Sequence, residues 1–531
     1  MLIENRDRII QATFILIPLS LLTKGLLVGR DLVGAYYFGA TAELDAFLVA
    51  DSIFRFLSST LLVGSFSMVF VPVLVDYLGR DDKHEAWILI SSLTNISALL
   101  LGVASMAAAL FAPSIIAFIA PGMRPAYQEL AVALTRLMAA TVLLVGLAEI
   151  LRSVLYAQRS YLSPMVAVCL ATLTAMVVII VYAPTIGIYS LAIGAVAAAV
   201  LRIVIQLLAE RGKGTQYHLV FRWQHPAMLR MAGLFAGMSV VMGLNQLNVV
   251  VTRYFASWLE SGSIAVYNYA SLAESFLVDI LALSVVTPLF PELSVQAARD
   301  DLTQFRRTFF LALRMIALVL FPVIGLSVVF RTPAIALILQ RGMFTVQDTE
   351  RVAAVYPFLA VAILVWGCGR IISFAFYALQ EVRPLIVVTV LGVGLNIIFD
   401  WLLIGPMGIA GLAVAASVGA VGGAALATWL LGRIVGWEGA GASIKPLLKI
   451  VLVSGIMLLV TWALFTFSKH LPNSDGTWFL WGRIVVSSSV ALTLYFMLLQ
   501  RWGVDEFQIA LKVMVDRTKK LLRVSKHQYT N

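Results

Sequence analysis

The chain has 531 residues, 61% of them hydrophobic and 12% charged, with a mean hydropathy of +0.95. A soluble domain holds about 45–50% apolar and about 25% charged residues, so the composition excludes a water-soluble globule and implies an all-α polytopic membrane protein. The net charge of +10 is carried with only two cysteines, Cys169 and Cys368, both inside apolar runs, which argues against a disulfide framework or a cysteine metal site.

Apolar runs separated by short polar breaks predict about fourteen spans, near 10–37, 46–76, 86–118, 127–156, 162–183, 188–209, 229–254, 264–290, 307–330, 351–378, 385–404, 409–432, 447–467 and 479–500. Most exceed the roughly 20 residues needed to cross the hydrocarbon core. Charged Met1–Arg8 leads into the first run without a small-residue cleavage site, so that span is expected to be retained. With the N-terminus inside, inner loops collect Arg80, Lys83, Arg159, Arg211, Lys213, Arg222, Arg299, Arg306 and Arg307, whereas outer loops hold few basic residues, among them Arg124 and Arg341. The positive-inside rule therefore predicts that both termini are cytoplasmic. The same rule explains the net charge, and no nucleic-acid module is expected. Residues 504–531 form a basic tail whose apolar positions suit an amphipathic helix on an anionic leaflet.

The chain is also written twice. Pro72, Leu74 and Arg80-Asp81-Asp82 recur 219 residues later as Pro291, Leu293 and Arg299-Asp300-Asp301. Pro113, Ile115, Gly122 and Met123 recur at an offset of 220, and Tyr156-Ala157 and Gly187-Ile188 at 221. An even number of spans per repeat makes the halves parallel, the organisation of transporters built around a central path. The expected domains are a six-helix lobe over 1–220, a second over 221–440, two extra helices over 441–503 and the tail.

Many charges fall within the spans, including Lys24, Arg30, Asp31, Asp51, Arg55, Arg136, Glu149, Arg152, Arg202, Arg253, Glu274, Asp279, Arg314, Arg370 and Asp400. Each costs about 2.5–3.5 kcal/mol at mid-bilayer if left facing lipid, so they are expected to face one another or a wet cavity. Asp51 and Arg55 are four apart and Glu149 and Arg152 three apart, spacings that allow pairing on one helix face. Asn245, Gln246 and Asn248 on the seventh span and Asn268, Ser271, Glu274 and Asp279 on the eighth add polar groups. Acids relay protons or bind sodium and arginines hold phosphate, and both are present. His84, His218, His225, His470 and His527 lie at loops or ends without metal or catalytic spacing, and no phosphate-cradling Gly-Lys-Ser/Thr loop occurs, so neither an enzyme nor an ATP-driven pump is expected.

Gly29-Arg30-Asp31-Leu32, Tyr37-Phe38-Gly39-Ala40, Asp45-Ala46-Phe47 and the Gly64 to Leu74 segment resemble the MurJ/MviN family, the lipid II flippase branch of the multidrug/oligosaccharidyl-lipid/polysaccharide exporter superfamily. Gln340-Arg341-Gly342-Met343-Phe344-Thr345 and Phe376-Tyr377-Ala378-Leu379 extend the resemblance over about 10–435. It implies two six-helix lobes around a cavity, a C-terminal pair of helices forming a groove for a lipid tail, and arginines holding a diphosphate. The family's first-helix Arg-Asp pair corresponds to Arg30 and Asp31, and its second-helix acid to Asp45. Departures are clear: Ser52, Ser58-Ser59, Leu272 and Phe374 stand where the family pattern carries basic residues.

The expected function is alternating-access flipping of a polyprenyl-(di)phosphate-linked saccharide, whether lipid II or another envelope glycan unit. Lys24, Arg30, Arg55, Asn248 and Ser271 are the expected substrate contacts, and Asp31, Asp45, Asp51, Glu274 and Asp279 the cavity acids. No cofactor or resident metal is expected. Sodium, protons or the membrane potential, at about 2.3 kcal/mol per charge per 100 mV, would supply the drive. The partners are the lipid-linked substrate and membrane lipids, around a monomer that glycan-synthesis enzymes would accompany. Two other readings stand: a cation-coupled exporter of drugs or metabolites, and a membrane scaffold for glycan synthesis.

Overall fold

A computed structural model of the chain describes residues 2–61, 70–71, 73–77, 83–211, 216–438, 440–468, 477–504 and 507–508. Within these, side chains are described from 18 onward, except at 61, 83, 234, 236–238, 273–277, 279–288, 440, 442–443 and 477–478. The amphipathic tail expected after 508 lies outside the described residues.

The elements in order are α1 (Leu2–Phe38), α2 (Ala42–Leu61), α3 (Lys83–Leu110), α4 (Ala112–Ile119), α5 (Pro125–Ala157), α6 (Leu162–Ile186), α7 (Tyr189–Glu210), α8 (Pro226–Ala256), α9 (Ser263–Ala298), α10 (Leu302–Val329), α11 (Arg331–Leu339), α12 (Val346–Ala378), α13 (Arg383–Met407), α14 (Ile409–Val435), α15 (Ala440–Phe467) and α16 (Thr477–Arg501). Among the described residues, ten of these helices are long and apolar enough to cross a membrane. Every predicted span has its helix; the 86–118 run is broken near its end, giving the short α4, and the short α11 follows the 307–330 run in a segment not predicted to be helical. Both short helices carry a repeat proline, Pro113 and Pro333, which suits a first turn because proline has no N–H to leave unpaired.

The duplication reaches into the backbone. After α5, Ser160 N–H donates to Leu155 O (2.8 Å) and Arg159 N–H to Tyr156 O (2.9 Å), with Arg159 at φ 61. After α12, Glu381 N–H donates to Phe376 O (2.9 Å) and Gln380 N–H to Tyr377 O (3.1 Å), with Gln380 at φ 60. This is one left-handed helix stop made by non-glycine residues at matching repeat positions, and Asp300 at φ 55 makes it again after α9. The ends of α6 and α13 repeat likewise, with Gly187 at φ 58 and Gly408 at φ 56.

The chain forms two compact units. The first comprises 1–272, 336–355 and 389–419, and the second 273–335, 356–388 and 420–531. In the first, α5 is the hub, packed against α2, α3 and α7, while α6 pairs with α7 and α1, and α8 lies along α2. In the second, α10 packs on α15, and α15 on α16. Ile450, Val453, Met457, Ala491 and Tyr495 are buried there, and the Tyr495 hydroxyl donates to Leu318 O (2.9 Å).

Contacts within the first unit also test span parity. The α1–α2, α4–α5 and α8–α9 turns and the α11–α12 loop fall on one side if each long run crosses once. They do meet: Met343 N–H donates to Tyr36 O (2.8 Å), and Gly122 N–H to Ser257 Oγ (3.2 Å). On the opposite side, Glu85 at the start of α3 pairs with Arg222 just before α8 (2.9 Å).

Candidate functional site

Two adjacent ion pairs project from α1 and α2. Arg30 Nη2 and Nε reach Asp31 Oδ1 at 2.7 and 3.1 Å, and Arg55 Nε bonds Asp51 across one helical turn. The Arg55 side chain is 57% exposed, and among the described residues neither Nη group has a protein partner. The charges of both Asp51 and Asp31 act on Arg55, which joins the two pairs into one cluster. A guanidinium held at Nε with its fork open is suited to bidentate binding of a phosphate oxygen pair.

Arg253 near the end of α8 extends this cluster and was not singled out as a site residue from the sequence. It is 7% exposed, donates to Ile264 O (3.1 Å) and Asn268 Oδ1 (3.2 Å), and sits in the field of Arg55, Asp51 and Asp45. Among the described residues its buried Nε has no hydrogen-bond partner.

Asp45 does something different from the role expected of it. Its carboxylate accepts from Gly262 N–H (2.6 Å) and Ala265 N–H (2.7 Å), so a residue of α2 caps the N-terminus of α9. The first amides of a helix have no internal partner and carry its positive dipole end, so a buried carboxylate is well placed there. Around this cap the turns interlock. The Tyr269 hydroxyl donates to Gly39 O (3.1 Å), and Arg351 Nη2 to Ser263 Oγ (3.3 Å). Gly262 and Gly342 have φ of 86 and 59, and a Cβ on either would overlap Ala40 O or Tyr36 O respectively. Only glycine permits both that backbone angle and that approach.

A third polar group joins α8 to α13. Asn396 accepts from Ala416 N–H (2.9 Å) through its carboxamide oxygen, while its nitrogen donates to Asp400 Oδ2 (3.1 Å) and to Asn248 Oδ1. Asp400 is 0% exposed, and among the described residues its Oδ1 has no hydrogen-bond partner. An uncompensated anion so placed is costly, so the group calls for a proton or a cation. Neither Asn396 nor Asp400 was assigned to a site from sequence.

Of the other expected site residues, Lys24 lies six positions before Arg30, short of two helical turns and so off the Arg30 face of α1. Ser271 spends its hydroxyl on Tyr267 O of its own helix (2.8 Å). The side chains of Glu274 and Asp279 lie outside the described residues. The expected Glu149–Arg152 pair forms, and Arg202 of α7 adds a second cation to Glu149 at 2.6 Å.

A family model described as Lipid II flippase MurJ matches residues 34–474. The chain belongs to the MurJ family. Relatives include a probable lipid II flippase MurJ of Synechocystis sp., 27% identical over 456 residues, covering 82% of this chain and 83% of that one. The lipid II flippase MurJ of Burkholderia cenocepacia is 25% identical over 413 residues, covering 76% and 79%. A solved MurJ structure in an inward closed conformation shares the fold, with a TM-score of 0.77 at 22% identity over 92% of this chain and 99% of that one. A multidrug-resistance MATE transporter of the MOP superfamily shares it more distantly, with a TM-score of 0.59 at 15% identity over 80% and 96%. Phe374 packs edge-on against Phe290 (5.4 Å) and Tyr377 (5.9 Å), an apolar aromatic cluster.

Replacing Asp45 with Ala leaves two buried amides of this MurJ-family helix uncapped. The expected loss is about 1–3 kcal/mol, with a smaller loss for Asp45→Asn, which keeps one acceptor. The apparent melting temperature in detergent checks the order wild type, Asn, Ala.

Proposed function

We propose that the chain is an inner-membrane flippase that moves a polyprenyl-diphosphate-linked saccharide by alternating access. The observation that carries this reading is the Arg30–Asp31–Asp51–Arg55 cluster on α1 and α2 of a MurJ-family chain, with the Arg55 fork open. Diphosphate demands fixed, planar, permanently charged donors, which arginine supplies and lysine supplies less well. The paired aspartates hold the guanidiniums in place before substrate arrives, so less ordering accompanies binding.

The relatives carry the name lipid II flippase, and lipid II is the first substrate to test here. In this reading the repeats 1–220 and 221–440 are the moving lobes, both termini are cytoplasmic, and the chain works as a monomer. The Asp45 cap with its glycine interlock then closes the outer end. Opening that end requires the two amides and the carboxylate to part and find water, so the latch is a discrete two-state element.

Cation coupling has one specific observation in its favour. Asp400, fully buried with one oxygen unpartnered, sits beside Asn396 and Asn248. Binding a proton or sodium ion there would neutralise it, and losing that cation would favour a state that hydrates the carboxylate.

In bacteria depleted of their own lipid II flippase, the wild-type chain is expected to restore growth and Arg30→Ala to fail while remaining folded and inserted. Rescue by neither points to a different lipid-linked glycan, and rescue by both removes the diphosphate role. In proteoliposomes, Asp400→Asn is expected to abolish the dependence of flipping on pH or sodium. Dependence that persists unchanged in this variant rules out Asp400 as the coupling group.

A further inference from the structure

The segment joining α7 to α8, which is also the junction between the repeats, runs as a non-helical strap over Gln216–His225. Its backbone is fastened to α3. His218 N–H donates to Ser91 Oγ (3.1 Å) and Arg222 N–H to Ser92 Oγ (2.6 Å). Asn95 Nδ2 donates to both His218 O (3.1 Å) and Val220 O (2.9 Å). Ser91, Ser92 and Asn95 are buried, so the strap also hides a polar face of α3.

The other side of the strap is unlike a water-facing loop. Tyr217, Leu219, Phe221 and Trp223 occupy alternate positions along a backbone tightened by two turns, Val220 N–H to His218 O (2.9 Å) and His225 N–H to Arg222 O (3.2 Å). All four are exposed, Leu219 at 77% and Trp223 at 67%. Main-chain polar groups are tolerated at membrane depth only when the protein satisfies them, and here α3 does so and also accepts the Tyr217 hydroxyl at Asn95 Oδ1 (2.5 Å), while Leu219, Phe221 and Trp223 stay exposed. Tyrosine and tryptophan are the residues enriched at the membrane–water interface.

The position along the helix agrees. Ser91 and Ser92 lie within the first nine residues of the apolar stretch His84–Leu110, near the N-terminal end of α3. Arg211 and Arg230 flank the strap and are exposed, a charge suited to anionic headgroups.

From this we infer that the strap is an interfacial anchor seated in the headgroup region of an anionic leaflet, pinning the junction of the two repeats to the bilayer. The inference rests on membrane insertion alone and is independent of the substrate and of the latch.

The test uses the full chain with Cys169 and Cys368 replaced by Ala, carrying Trp223→Cys or Leu219→Cys labelled with an environment-sensitive fluorophore. The protein is reconstituted in vesicles of phosphatidylethanolamine and phosphatidylglycerol that contain lipid spin-labelled near the headgroup. Blue-shifted emission, loss of most intensity to the spin-labelled lipid and protection from aqueous iodide are expected at both positions. Quenching by iodide without quenching by lipid would overturn the anchor, because the row would then face water. Protection from both quenchers would overturn it as well, because protein would then cover the row. The two labelling positions serve as independent variants should one of them fail to fold.

Discussion

A charge inside a bilayer must be paired, hydrated or neutralised, and that constraint organises this molecule. Glu149 lies between Arg152 and Arg202, tying α5 to α7. Asp45 answers its burial differently, by taking two amides of α9. Arg30 and Asp31, and Asp51 and Arg55, answer it as half-buried pairs in which Arg55 is exposed. The difference between these solutions marks the difference in role. Glu149 and Asp45 are enclosed by protein and hold helices together. The pairs on α1 and α2 keep accessible donors, which is what a charged substrate requires.

The duplication supplies the frame on which these charges are set. The same helix stop after α5 and α12, and the same glycine turns after α6 and α13, show that the repeat fixes backbone geometry as well as residue identity. The site breaks the symmetry. The acid that caps α9 comes from α2, and the loop that closes over Gly39 comes from the second repeat. These contacts join unlike parts of a chain that otherwise repeats itself.

Much of this was legible in the sequence, for local reasons. Apolar run length located the helices, because a span must exceed the hydrocarbon thickness and its breaks must be polar. Spacings of three and four located the pairs Glu149–Arg152 and Asp51–Arg55, because such residues share a helix face. Contacts between distant segments were not legible. Asp45 lies 217 residues from Gly262, and nothing in its neighbourhood distinguishes a cap in trans from a cavity acid. Asn396 and Asp400 sit in an apolar run where they read as isolated polar residues until α8 and α14 are brought beside them. Ser91, Ser92 and Asn95 likewise look like weak points in a span until the strap lies across them.

The central claim is that the α1–α2 arginines hold a diphosphate, and equilibrium binding tests it most directly. Purified protein in detergent is titrated with undecaprenyl diphosphate and, separately, with undecaprenol, which has the same tail and no phosphate. Wild type is expected to bind the diphosphate far more tightly than the alcohol, and Arg30→Ala and Arg55→Ala to erase most of that preference while leaving tail binding intact. Equal affinity for both lipids in the wild type, or an unchanged preference in both variants, would contradict the account.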